Sequence, residues 1–130
     1  MIKILHPLLL YICGLTVLKP ANVETTLILK EVQFSKIVLA QSILETGWYK
    51  CKDCSLQSNN IFGFRVKSGY LSFAHWTESV KYYKKWQDAR FKKYKKEICN
   101  DEDYYNFLKA VGYAEDPEYE NKLKLIVKRL

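Results

Sequence analysis

The run AQSILETGWYK, residues 40–50, sets one carboxylate, Glu45, at the end of an apolar stretch and directly before Thr46, Gly47 and Trp48. If that stretch is a helix, Glu45 faces the negative end of its dipole, and the apolar neighbours also penalise an ionised side chain. Both effects favour a retained proton. A carboxylic acid that holds its proton is what glycoside cleavage needs to protonate the leaving oxygen. Taken singly, a Glu at a frayed helix end is more often a plain surface residue. Two further segments stand out. NNIFGF, residues 59–64, offers two amides, with Gly63 allowing close backbone approach. GYAEDPEY, residues 112–119, puts Tyr113 between a helix-ending glycine and a strong cap. Each alone reads as loop or helix punctuation.

The elements that must position these residues are mostly helical. Helical patterning runs over residues 23–32 and again over 35–45, where Ile37, Ala40, Gln41 and Leu44 share a face, and Gly47 is a natural stop. CKDCSLQSNN, residues 51–60, is polar and turn-rich and reads as a loop. FGFRV and YLSF flank Lys67-Ser68-Gly69, which predicts one hairpin closed by a left-handed Gly69 in a three-residue connection. A long helix is expected over 77–96 with Thr77 as N-cap, then one over 102–111. The last helix should open with Asp116 as cap and Pro117 at its first position. Its apolar stripe would be Tyr119, Leu123, Ile126, Val127 and Leu130. The fold class is mostly α (α+β) with a small β-hairpin.

A chain of 130 residues suits one domain, and 48% hydrophobic content excludes a disordered one. The formal net charge of +7 attracts anionic polymers without choosing among nucleic acid, anionic lipid and cell-wall material. The run of residues 81–96 carries eight basic residues interleaved with aromatics. A solvated helix face with inward aromatics accounts for that better than nucleic-acid binding. Cys51 and Cys54 have the spacing of zinc ligands, but Cys13, Cys99, His6 and His75 supply no second pair, so no metal is expected. Whether the two thiols form a disulfide depends on the compartment.

The four motifs, in order, resemble the bacterial glucosaminidase domains, glycoside hydrolase family 73, and its relatives among flagellar and autolytic cell-wall hydrolases. The matching stretches are Gln41-Ser42-Ile43-Leu44-Glu45-Thr46-Gly47-Trp48, Asn59-Asn60-Ile61-Phe62-Gly63, residues 70–80, and Tyr113-Ala114-Glu115-Asp116-Pro117-Glu118-Tyr119. The resemblance covers roughly residues 27–130. It implies a lysozyme-like helical domain that cleaves the β-1,4 bond of the GlcNAc-MurNAc strand of peptidoglycan, acting as a monomer without a cofactor. It implies Glu45 as catalytic acid, with Asn60, Phe62 and Gly63 in the turn beside the cleft and Tyr113 facing it. Trp48, Tyr70 or Trp76 could stack on sugar, although core packing is the commoner role of such aromatics. An inactive peptidoglycan-binding module and a lytic transglycosylase are the alternatives.

A second carboxylate is not evident. Between Glu45 and Glu78 the only acidic residue is Asp53; both Asp53 and Glu78 are candidates by proximity in sequence, although a solvated loop Asp and a helix-start Glu are the commoner roles. With help from the substrate's own N-acetyl group, or with intramolecular attack, Glu45 would act alone among the side chains.

Lys3 followed by the apolar run of residues 4–18 begins like a secretory signal, although no A-x-A follows it and the run is short for a membrane span. An export signal or uncleaved membrane anchor over residues 1–21 is favoured over a buried first helix, with residues 22–130 as the catalytic domain. The expected location is the periplasm or cell envelope.

Overall fold

The computed structural model describes residues 17–130, so all but the last five residues of the expected export segment, 1–21, lie outside the described part. The architecture is mostly α with one small hairpin. Helix α1, Pro20–Leu29, starts three residues before the expected position because Pro20 fits the first turn, where its missing N–H costs nothing. Asn22 and Val23 are already buried in it, so a cleavage near Asn22 would remove a structured first turn. Helix α2, Ser35–Thr46, is the centre of the molecule, with eight of its twelve residues buried. It packs on α1 and on the last helix.

Gly47 ends α2 at φ 54°, as its lack of a side chain allows, and its N–H donates to the Ile43 carbonyl. The left-handed conformation continues into Trp48 (φ 60°) and Tyr49 (φ 62°), where side chains make it costly. Hydrogen bonds hold the turn. The Tyr49 N–H donates to Thr46 Oγ1 at 3.0 Å and the Tyr49 hydroxyl meets Ser42 Oγ at 2.6 Å.

The loop after α2 contains one 3-10 turn, Ser55–Ser58, and leads into strands β1, Arg65–Val66, and β2, Gly69–Tyr70. They pair antiparallel, Arg65 with Tyr70 and Val66 with Gly69. The connection is therefore two residues, Lys67 and Ser68, not three, and Gly69 pairs inside β2 at φ 134°. Beneath the hairpin lies Asn60, fully buried. Its amide donates to the carbonyls of Phe64 (2.8 Å) and Leu71 (3.0 Å), and its Oδ1 accepts from the N–H groups of Phe62 (3.3 Å) and Phe64 (3.2 Å).

Helix α3 spans Trp76–Lys93, and its cap is His75, whose Nδ1 accepts from the Thr77 N–H at 3.3 Å; Thr77 is already inside the helix. Of the basic run, Tyr83 and Gln87 turn inward while Lys81, Lys85, Arg90, Lys92 and Lys93 face solvent. Helix α4, Asp101–Ala110, is capped by Asn100, which accepts from the Asp103 N–H at 2.9 Å. Helix α5, Tyr119–Arg129, starts later than Pro117. Asp116 accepts from the Glu118 N–H at 2.8 Å and so closes a turn ahead of the helix instead of capping it. Trp76 is a core residue at 4% exposure.

The four backbone bonds of Asn60 are the main polar support of the turn and hairpin. Asn60→Ala should lower stability by about 2 kcal/mol or more, since buried backbone groups lose their partners. Urea denaturation checks this; an unchanged midpoint with an unchanged slope would show that the turn holds itself.

Candidate active site

Glu45 is the penultimate residue of α2, one turn after Gln41 on the same face. Its carboxyl lies directly under Gly63, where an added Cβ would stand 2.7 Å from Glu45 Oε2. Gly63 also has φ 71°, so no other residue fits this position without strain. Glu45 is partly buried, and loss of hydration pushes its carboxyl above the usual carboxylate range. A hydrogen bond from the Tyr119 hydroxyl opposes part of that shift without reversing it.

Tyr119 is in turn held from behind. Gln41 Nε2 donates to the Tyr119 hydroxyl at 3.2 Å, and Gln41 Oε1 accepts from the Tyr83 hydroxyl. Tyr83 Oη lies 2.6 Å from Tyr104 Oη, and Gln87 Nε2 donates to Tyr104 at 3.0 Å. Because the Tyr83 proton goes to Gln41, Tyr104 must donate to Tyr83. Every proton of the series therefore points toward Glu45.

The cleft above Glu45 has a volume of about 590 Å³ and is lined by Glu45, Phe62, Gly63 and Tyr113 among the anticipated residues. Tyr113 braces it. Its hydroxyl donates to the Phe62 carbonyl at 2.8 Å and its ring stacks on Tyr119 at 5.9 Å, tying the loop before α5 to the turn that covers Glu45. Asn60 does not line the cleft; its amide is engaged by backbone, so it shapes the turn from below. Trp48 does not line it either, and lies under the Arg129 guanidinium at 4.6 Å.

The sequence motifs did not single out Arg65, Arg90, Trp86 or Glu115, all of which line the cleft. Tyr70, exposed at 41%, lines it too, with Arg65 stacked on its ring at 4.6 Å. Tyr119 was assigned to an apolar stripe; its place in the Y-x-x-x-x-x-Y stretch beside Tyr113 was the available signal. Asp53 is exposed in the loop outside the cleft, and Glu78 borders a separate depression with Phe73 and Tyr82. Cys51 and Cys54 are free thiols in hydrogen-bond contact, with burial raising Cys54 above its ordinary value.

A helical domain that keeps one carboxyl above its ordinary pKa at the floor of an open, polar cleft has the parts of a glycosidase. The family model described as glucosaminidase, mannosyl-glycoprotein endo-beta-N-acetylglucosaminidase, matches residues 28–130, and the chain belongs to this family. It is a glycosidase that acts on glycan. No curated protein and no solved structure matches the chain significantly.

The contact between Gly63 and Glu45 makes a separable prediction. Gly63→Ala should cost about 1–2 kcal/mol for the left-handed backbone, yet reduce glycan cleavage far more than that loss of fold explains, because the new methyl displaces the carboxyl. Thermal melting and turnover measured on the same preparation decide it; turnover that follows only the folded fraction would refute the steric role.

Proposed function

We propose that the protein is a peptidoglycan hydrolase that cleaves the β-1,4 bond of the GlcNAc-MurNAc strand, with Glu45 as general acid. The observation that carries this reading is the partly buried carboxyl of Glu45, raised above its ordinary pKa and aimed into an open cleft beneath Gly63. As the glycosidic bond breaks, the Glu45 proton moves to the leaving oxygen and a carboxylate remains. The bond from Tyr119 strengthens as that charge forms, because a donor to a charged oxygen is roughly twice as strong as one to a neutral group. Interactions that grow toward the transition state are the ones that accelerate the step.

The charge of the cleft supports the cell-wall polymer as substrate. Arg65 and Arg90 line it, and the whole chain carries a net +7. Peptidoglycan brings carboxylates on its lactyl and peptide groups next to the scissile bond, whereas an uncharged glycan would leave both guanidinium groups without a counterpart. The exposed ring of Tyr70 supplies an apolar surface for a sugar face. Such a substrate lies outside the cytoplasmic membrane, which is where the basic and then apolar start of the chain would direct it, to the periplasm or cell envelope.

Digestion of purified sacculi by the wild type should release strands with reducing-end GlcNAc, and Glu45→Gln should be slower by about 100-fold or more. Mass spectrometry of the products reads both. Reducing-end MurNAc would make the protein a muramidase, 1,6-anhydro-MurNAc a lytic transglycosylase, and binding without release a carbohydrate-binding module. Since the acid must retain its proton, activity should fall as pH rises through the raised pKa of Glu45. Equal rates for wild type and Glu45→Gln would remove Glu45 from the mechanism.

A further inference from the structure

We propose that Glu115 is the second carboxylate of the cleft, a general base that activates the attacking water, so that cleavage proceeds with inversion at the anomeric carbon. This rests on the reading of Glu45 as general acid. Among the described residues, Glu45 and Glu115 are the two carboxylates that line the cleft, while Asp53 and Glu78 lie elsewhere. Their surroundings differ in the way an acid and a base require. Glu45 is partly buried under Gly63, where its charge is poorly hydrated. Glu115 is exposed at the rim, where water hydrates the charge that a base must carry, and it forms no ion pair among the described residues.

The loop that carries Glu115 is fixed relative to Glu45. Tyr113, two residues earlier, is anchored through its hydroxyl to the Phe62 carbonyl, next to the glycine that covers the acid. Two residues of extended chain reach at most about 7 Å, so Glu115 cannot stray far from that anchor. A cleft of about 590 Å³ is on the order of 10 Å across if roughly round. That width has room for two carboxyls separated by the roughly 6.5–9.5 Å that accommodates a water between them.

The step balances as follows. Glu45 gives its proton to the glycosidic oxygen as the C1–O bond breaks; the water oxygen bonds to C1 from the opposite face, and Glu115 takes the proton that water loses. The products are a free hydroxyl on the leaving sugar and an α-configured reducing end. Glu45 is left ionised and Glu115 protonated, and exchange with solvent restores both.

The test uses a soluble GlcNAc-MurNAc oligomer with wild type, Glu115→Gln, Glu115→Ala and Glu45→Gln. Proton NMR on the first turnovers, before mutarotation, should show the α-anomer from wild type. Glu115→Gln should lose about 100-fold or more in kcat. Azide should restore Glu115→Ala, yielding an α-glycosyl azide, and an unfolded variant could not be rescued in this way. A Glu115→Gln rate equal to wild type while Glu45→Gln is inactive would overturn the role of Glu115 alone. So would a β-anomer or an anhydro product from wild type. No cleavage by wild type, or full activity of Glu45→Gln, would remove the reading of Glu45 and this proposal together.

Discussion

The fold and the site depend on one directed series of buried hydrogen bonds, running from Gln87 through Tyr104, Tyr83, Gln41 and Tyr119 to Glu45. Its direction is set at both ends. Gln87 exchanges two bonds with the backbone of Gln33, at 2.8 and 3.0 Å, which fixes which way its amide points. At the other end the Tyr119 hydroxyl accepts from Gln41, which leaves its own proton for the Glu45 carboxyl. The series joins α3, α4, α2 and α5 through the middle of the core, and aligned donors of this kind polarise one another. Among the described residues no buried side-chain polar atom lacks a partner. Replacing any one member leaves its neighbours buried and unpaired, which costs more than the bond itself contributes.

The aromatic packing around this series keeps it dry. Phe62 and Phe64 lie 4.7 and 5.9 Å from Tyr83, and Trp86 and Tyr113 meet edge to face at 5.3 Å. The same dryness sets the acidity of Glu45. A carboxyl whose folded pKa is raised binds its proton more tightly in the native than in the unfolded state. Stability therefore declines as pH rises from the unfolded pKa through the folded one. The ionised form of Glu45 is thus less favourable to the fold than the protonated form. That cost accompanies an acid held ready to give up its proton.

Much of this was legible in the residues. The apolar helix ending at Glu45 and Gly47 followed from spacing, and so did the helical class with one hairpin. What failed were choices between adjacent candidates for the same role. His75 outcompetes Thr77 as the cap of α3, and Gly69 pairs in β2 instead of turning. Asn60 carried an amide suited to sugar, yet that amide is consumed by Phe64 and Leu71, eleven residues apart from the latter. Tyr119 sits on an apolar stripe, and its ring does pack there; only its hydroxyl, meeting Gln41 across 78 residues of sequence, reveals the other role. Glu115 is an exposed acid in a turn, a description that fits many residues, and its significance comes from the cleft it borders.

The most direct test of the account is the titration of Glu45 itself, followed by carboxyl carbon NMR in wild type and Tyr119→Phe. The account predicts a wild-type midpoint above the roughly 4.3 of a free Glu. It predicts a higher midpoint still in Tyr119→Phe, because the lost donor was stabilising the carboxylate. A wild-type midpoint at or below the free value, or one that Tyr119→Phe does not move, would contradict the claim that burial and the directed hydrogen bonds together set the acid.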